Sequence, residues 1–190
     1  MDTRLGVEHR FHRREAFLKN KVNEEEGIGL EEQTCCPRFD PEPWDGKTHE
    51  WSEKPFLTAT MPVLFHMPFP WLINKTMTRL WETAQKYGIA PEMNGFLLLA
   101  ADPSPWKSRY YLAVTGTHPD LEKDIVGFSG TFVSKVFDGP YKDVPKFMRE
   151  ADEWLQKAGK TPKEHYFYFT TCPKCARIYG RNYMVDFVRV

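Results

Sequence analysis

The chain has 190 residues, 26 basic and 26 acidic side chains and no formal net charge; 41% of it is hydrophobic and 15% aromatic. That length supports one domain or two small ones with a sizeable core, and the apolar supply argues against wholesale disorder. Balanced charge gives no electrostatic reason for a nucleic-acid partner, and no apolar run approaches the ~20 residues of a membrane span.

Residues 1–33 are charge-dense, with Arg13-Arg14 and Glu24-Glu25-Glu26, and read as a polar, flexible or weakly helical tail over Arg10 to Asn23. Met1 to Arg14 is too polar for a secretory signal, so the expected location is cytoplasmic, with reduced thiols. Residues 34–54 contain Pro37, Pro41 and Pro43 with Trp44 and Trp51, and read as an extended lead-in packed on the domain.

Regular patterns begin at Pro55. Phe56 to His66 reads as a strand broken at Pro62, and Asn74 to Lys86 as a helix burying Met77, Leu80, Trp81 and Ala84, stopped by Gly88. Strands follow over Phe96 to Ala101 and Arg109 to Thr115, divided by Asp102-Pro103-Ser104-Pro105. The same order returns. Thr131 to Phe137 is a strand, Val144 to Ala158 a helix burying Phe147, Met148, Ala151, Trp154 and Leu155, and His165 to Thr171 and Asn182 to Val190 are strands.

Subtracting Gly88 from Gly159 gives an offset of 71, which also pairs Thr131 with Thr60, Met148 with Met77 and Phe167 with Phe96. Matching identities and element order predict an α+β fold: a tandem βαββ-βαββ repeat, modules about 55–119 and 125–190. Its antiparallel sheet would carry two helices on one face and a ligand cleft on the other. This order, with Phe137-Asp138-Gly139-Pro140-Tyr141 leading into the second helix, resembles the GyrI-like small-molecule-binding family, built from duplicated SHS2-type modules. The resemblance covers residues 55–190 and, with its Cys-x-x-Cys turn, points to a stand-alone branch. It implies one domain that binds drug-like, often aromatic or cationic molecules between its modules. Some stand-alone relatives hydrolyse reactive small molecules through an aromatic cage.

Strand alternation assigns the faces. Tyr111, Tyr166, Tyr168, Met184 and Asp186 are expected on the open face, with Phe167, Phe169, Tyr183, Val185 and Phe187 toward the helices. Flat rings with polar tips beside a carboxylate suit a planar or cationic ligand, though the same tyrosines can simply cover a sheet or a dimer interface. Asp186 is read as cation partner, general base or salt-bridge partner of an Arg or Lys on a neighbouring strand; His66 as general base, hydrogen-bond donor or packed structural residue. Trp71 and Trp106 stand in loops, as cleft walls or core.

Cys172-x-x-Cys175 has the shape of half a zinc knuckle, which Cys35 and Cys36 complete if the lead-in folds back; His49 or Asp40 are substitutes. A redox pair and four free thiols are the rivals. The first functional reading is therefore a stand-alone binding protein, monomer or homodimer, for a small aromatic or cationic molecule, with no cofactor required beyond a structural zinc. The second is a hydrolase in the same cleft, with Asp186 or His66 activating water; the third is a zinc-stabilised interaction module.

Overall fold

The computed structural model describes residues 34–92 and 95–190, so the expectation for the tail at 1–33 lies outside the described residues. Strand β1 runs Lys47–Leu64 and β2 Met67–Pro68; helix α1, Pro70–Lys86, precedes the hairpin β3, Leu98–Ser104, and β4, Lys107–Ala113. Then come β5, Ile125–Asp138, α2, Val144–Lys157, β6, Glu164–Phe169, α3, Pro173–Tyr179, and β7, Tyr183–Arg189.

The fold is mixed α/β with an entirely antiparallel sheet. Strands run β2-β1-β4-β3-β6-β7-β5, and β5 returns to pair with β1, closing six of them into a barrel. The expected open sheet is thus a closed one. Closure needs a strand long enough for two neighbours: β1 pairs with β5 over Lys47–Leu57 and with β4 over Phe56–Pro62. A bulge between Trp51 and Lys54, with Glu53 at φ 49°, bends it between the two. The Ser129 hydroxyl accepts from the Glu53 N–H at 2.9 Å and donates to its carboxylate, satisfying the bulge. Pro62 lies past the β5 ladder, where a missing N–H costs no bond on that side.

Helix α1 begins four residues before Asn74 because Pro70 occupies its first turn, where the fixed φ suits a helix and the absent N–H is not needed. Its Leu80 and Ala84 pack outside the barrel on Leu57, Ala59, Met61 and Leu112. Phe147, Ala151 and Leu155 of α2 pack on Val133, Phe167, Met184 and Val188, also outside. The alternate residues Phe56, Leu99, Tyr111, Phe132, Tyr166, Val185 and Phe187 point inward and form the barrel's own core. In the strand–Gly-Pro-Tyr–helix passage, a Cβ on Gly139 would stand 2.8 Å from the Phe147 ring, and the Tyr141 hydroxyl donates to the Thr171 carbonyl at 2.8 Å. That glycine is a matter of close packing. No described helix is long and apolar enough to cross a membrane.

Candidate functional site

Alternation places Glu164, Tyr166 and Tyr168 on one side of β6, toward the barrel interior. At the start of β6 the Tyr166 hydroxyl donates to Glu164 Oε2 at 3.1 Å, and Arg189 Nη1 reaches the same oxygen at 3.3 Å from the paired end of β7. The Tyr166 ring meets Tyr111 edge-on at 5.5 Å, and Phe128 lies 4.9 Å from Tyr166 and 5.2 Å from Tyr111. Both tyrosines are 8% exposed, while the Glu164 side chain is 52% exposed. The carboxylate therefore stands at a mouth and the rings behind it. Burial, then the Glu164 charge, push the Tyr166 hydroxyl upward; burial does the same to Tyr111, against the Arg109 guanidinium beside it. Tyr166 keeps its proton and is a donor.

Tyr111 and Tyr166 come together as expected, but Met184 and Asp186 do not join them. Both face α2 and are fully buried. Strand β7 has two buried faces, so its apolar set Val185 and Phe187 belongs to the interior and not to the helix side. Asp186 binds His165: its Oδ2 lies 2.7 Å from Nδ1, and Nε2 lies 3.1 Å from Asp152 Oδ1 on α2. A carboxyl group faces each ring nitrogen. Burial opposes the charge on His165, yet Asp186 and then Asp152 raise its pKa; burial pushes Asp186 up to about 6 against the pull of His165. This triad joins α2 to the sheet. Asp186 thus pairs with a histidine of the neighbouring strand and not with the Arg or Lys expected of it.

Tyr168 is covered by the lead-in, with Trp44 at 5.9 Å and Phe39 at 6.3 Å. Trp51 enters the interior against Phe132 at 4.4 Å. His66 sits at the β1–β2 turn with positive φ and contacts Asp102 at 3.0 Å. Trp106 lies 4.6 Å from Phe65, and Trp71 5.1 Å from Phe69, both tryptophans more than half exposed. Among the described residues, His66, Trp71 and Trp106 make no hydrogen bond or ring contact with the tyrosines. Glu164 was missed, although its step of two before Tyr166 marks it as sharing the tyrosine face.

At the other end of β6 the four cysteines converge, all sulfurs within 4.8 Å of one another. Cys35 Sγ lies 3.5 Å from Cys172, 3.6 Å from Cys175 and 4.0 Å from Cys36. Adjacent cysteines do reach one point. Backbone N–H groups of Cys35, Cys172 and Cys175 donate to Cys175, Cys36 and Cys172 sulfurs at 3.2, 3.3 and 3.5 Å. Cys-x-x-Cys also opens a helix, unforeseen in the sequence: Cys172 caps α3, Pro173 starts it and Gly180 at φ 65° ends it. Burial pushes Cys36 up to about 12; it also opposes the Cys172 thiolate, which the Cys175 N–H and neighbouring thiols nevertheless hold down to about 7. His49 and Asp40 are engaged elsewhere, by the Ser134 hydroxyl at 2.8 Å and the Glu42 N–H at 3.1 Å.

Fold and site together define a closed antiparallel barrel with a tyrosine–carboxylate mouth and a four-thiol cluster. The family model described as bacterial hydrolase matches residues 28–190, and the chain belongs to that family. Among solved structures it resembles a hydrolase from Listeria innocua, at 14% identity and TM-score 0.54, over 76% of this chain and 91% of that one. An uncharacterized conserved protein from Listeria innocua aligns over the same shares at 11% identity and TM-score 0.49. The first likeness is one of fold. No curated protein matches.

Proposed function

We propose that this chain is a hydrolase of a small, planar aromatic electrophile, acting at the barrel mouth. The contact of Glu164 with Tyr166 and Arg189 carries the reading, with the family membership behind it. Glu164 takes a proton from water as its oxygen bonds to the electrophilic carbon, and the bond to the leaving group breaks. Glu164 then hands that proton to the leaving atom and returns to a carboxylate, while Tyr166 stays protonated and holds that carboxylate through their 3.1 Å hydrogen bond. Arg189 holds the carboxylate in place, and the Tyr111 and Phe128 rings pack behind Tyr166. The GyrI-like resemblance supports an aromatic ligand, and a covalent serine nucleophile has no Gly-x-Ser-x-Gly motif to carry it.

Turnover of a panel of aryl esters and aryl epoxides by catalytic amounts of protein is the test, with Glu164→Gln and Tyr166→Phe as controls. Product formation that both variants suppress is the expected result. Tight binding of the same compounds without product would return the chain to the binding-protein reading.

The second part of the proposal is a structural zinc in the four-cysteine cluster. A tetrahedral site with Zn–S near 2.3 Å has sulfurs about 3.8 Å apart, close to the spacings present, and four thiolates with backbone N–H donors suit that ion. About one zinc per chain in protein purified without chelator is expected; well under that, with every thiol titratable, overturns it.

A further inference from the structure

Residues 34–46 hold no ladder of their own, because Pro37, Pro41 and Pro43 interrupt it. They form a strap tied at two points. At the C-terminal end the Gly46 N–H donates to the Ser134 carbonyl at 2.9 Å, and Asp45 accepts from the Val136 N–H at 3.0 Å. At the other end are Cys35 and Cys36, with Tyr179 donating to the Cys36 carbonyl and Arg38 stacked 4.7 Å over the Tyr179 ring. Between the ties, Phe39 lies 5.8 Å from Tyr183, and Trp44 lies 6.0 Å from Phe187 of the interior core. No strap residue is fully buried. Its hold on the barrel is thus short on apolar burial and depends on its ties.

Resting on the zinc reading, we propose that the four-cysteine site is a clasp for this strap, and that Phe39 and Trp44 are a removable stopper on the aromatic interior. Binding of zinc by sulfurs from both the strap and α3 converts two distant chain segments into one rigid corner. Withdrawal of the metal leaves the proline-rich segment held by its C-terminal tie, where the Ser134 hydroxyl also donates to the Trp44 carbonyl, and by the Tyr179 contacts with Cys36 and Arg38. Its aromatic pair then lifts from Tyr168, Tyr183 and Phe187, and that end of the barrel takes up planar aromatic molecules.

The experiment uses the full chain, zinc-loaded and chelator-treated, with three readouts: zinc content, tryptic cleavage between Arg38 and Phe39 mapped by mass, and fluorescence of anilinonaphthalene sulfonate. Zinc removal should speed that cleavage on the order of tenfold and raise probe fluorescence several-fold, with the β-sheet circular dichroism kept and both changes reversed by zinc. Phe39→Ala with Trp44→Ala should raise probe fluorescence while zinc stays bound. Stoichiometric zinc whose removal leaves the Arg38 bond protected and the probe dark overturns the clasp but keeps the zinc site. Absence of zinc sinks the underlying reading. Loss of the whole sheet signal on chelation, with the double variant dark, overturns the stopper.

Discussion

The two ends of β6 make opposite use of one strand. At Glu164 a half-exposed carboxylate is held by two side-chain hydrogen bonds and leaves an oxygen open to solvent. At Cys172, after the strand ends, sulfurs and a covering strap gather the chain inward. On the proposed reading the first end meets a substrate, while the second keeps its own parts together. Activity and stability should therefore separate along a single strand.

The sharpest way to break that contrast is Glu164→Gln. Loss of a general base should lower kcat/KM by 10²- to 10⁴-fold, about 3–5 kcal/mol, with the melting temperature unchanged. An inactive variant that also melts early would make Glu164 a structural residue. At the other end, Cys175→Ser should remove the metal and cost about 2–4 kcal/mol by thermal unfolding, while kcat per folded molecule stays within about twofold.

Between the two ends, His165 gives a pH-dependent test. Its pKa is raised from 6.5 in the folded chain, so its contribution is complete below 6.5 and is lost as pH rises through the folded value. Asp186, raised from 3.8 to about 6, works in the same direction: the native state binds protons more tightly across that window, so stability falls as pH climbs from 3.8 toward 6. Melting temperature should be higher at pH 6 than at pH 8, and His165→Gln should flatten the slope and cost about 1–3 kcal/mol. A slope unchanged in that variant would assign it to other groups. The smallest effect is expected from Asp45→Asn at the strap's second tie. Its ion pair with Lys135 is part-exposed at 2.9 Å, worth about 0.5 kcal/mol, and chemical denaturation should detect little more.

Helical periodicity was enough to find α2, the body of α1 and their packing faces, because each has one apolar face and one wet face. Leu80, Ala84, Phe147, Ala151 and Leu155 are buried, while Met77, Trp81, Met148 and Trp154 are only partly so. The tyrosine face of β6 was legible for a similar reason: Tyr166 and Tyr168 alternate with Phe167. Strand β7 defeated the same rule. With the interior on one side and α2 on the other, Val185 and Met184 are both fully buried, and a charge such as Asp186 no longer marks an open face. Its partner His165 comes from the neighbouring strand, a long-range pairing that no local pattern carries. Helix α3 was too short for periodicity, although Pro173 and Gly180 bracket it with the start and stop residues that helices favour. The repeat suggested by the offset of 71 predicts the order of elements but not the return of β5 to β1.

That return also orders events during synthesis. The β1 edge from Lys47 to Leu57 finds its β5 partner in residues 125–134, so it waits without it while the intervening chain is made. Until β5 emerges, the nascent chain presents an open strand edge of the kind that pairs with other chains. Closure is a non-local pairing, of the kind that slows folding.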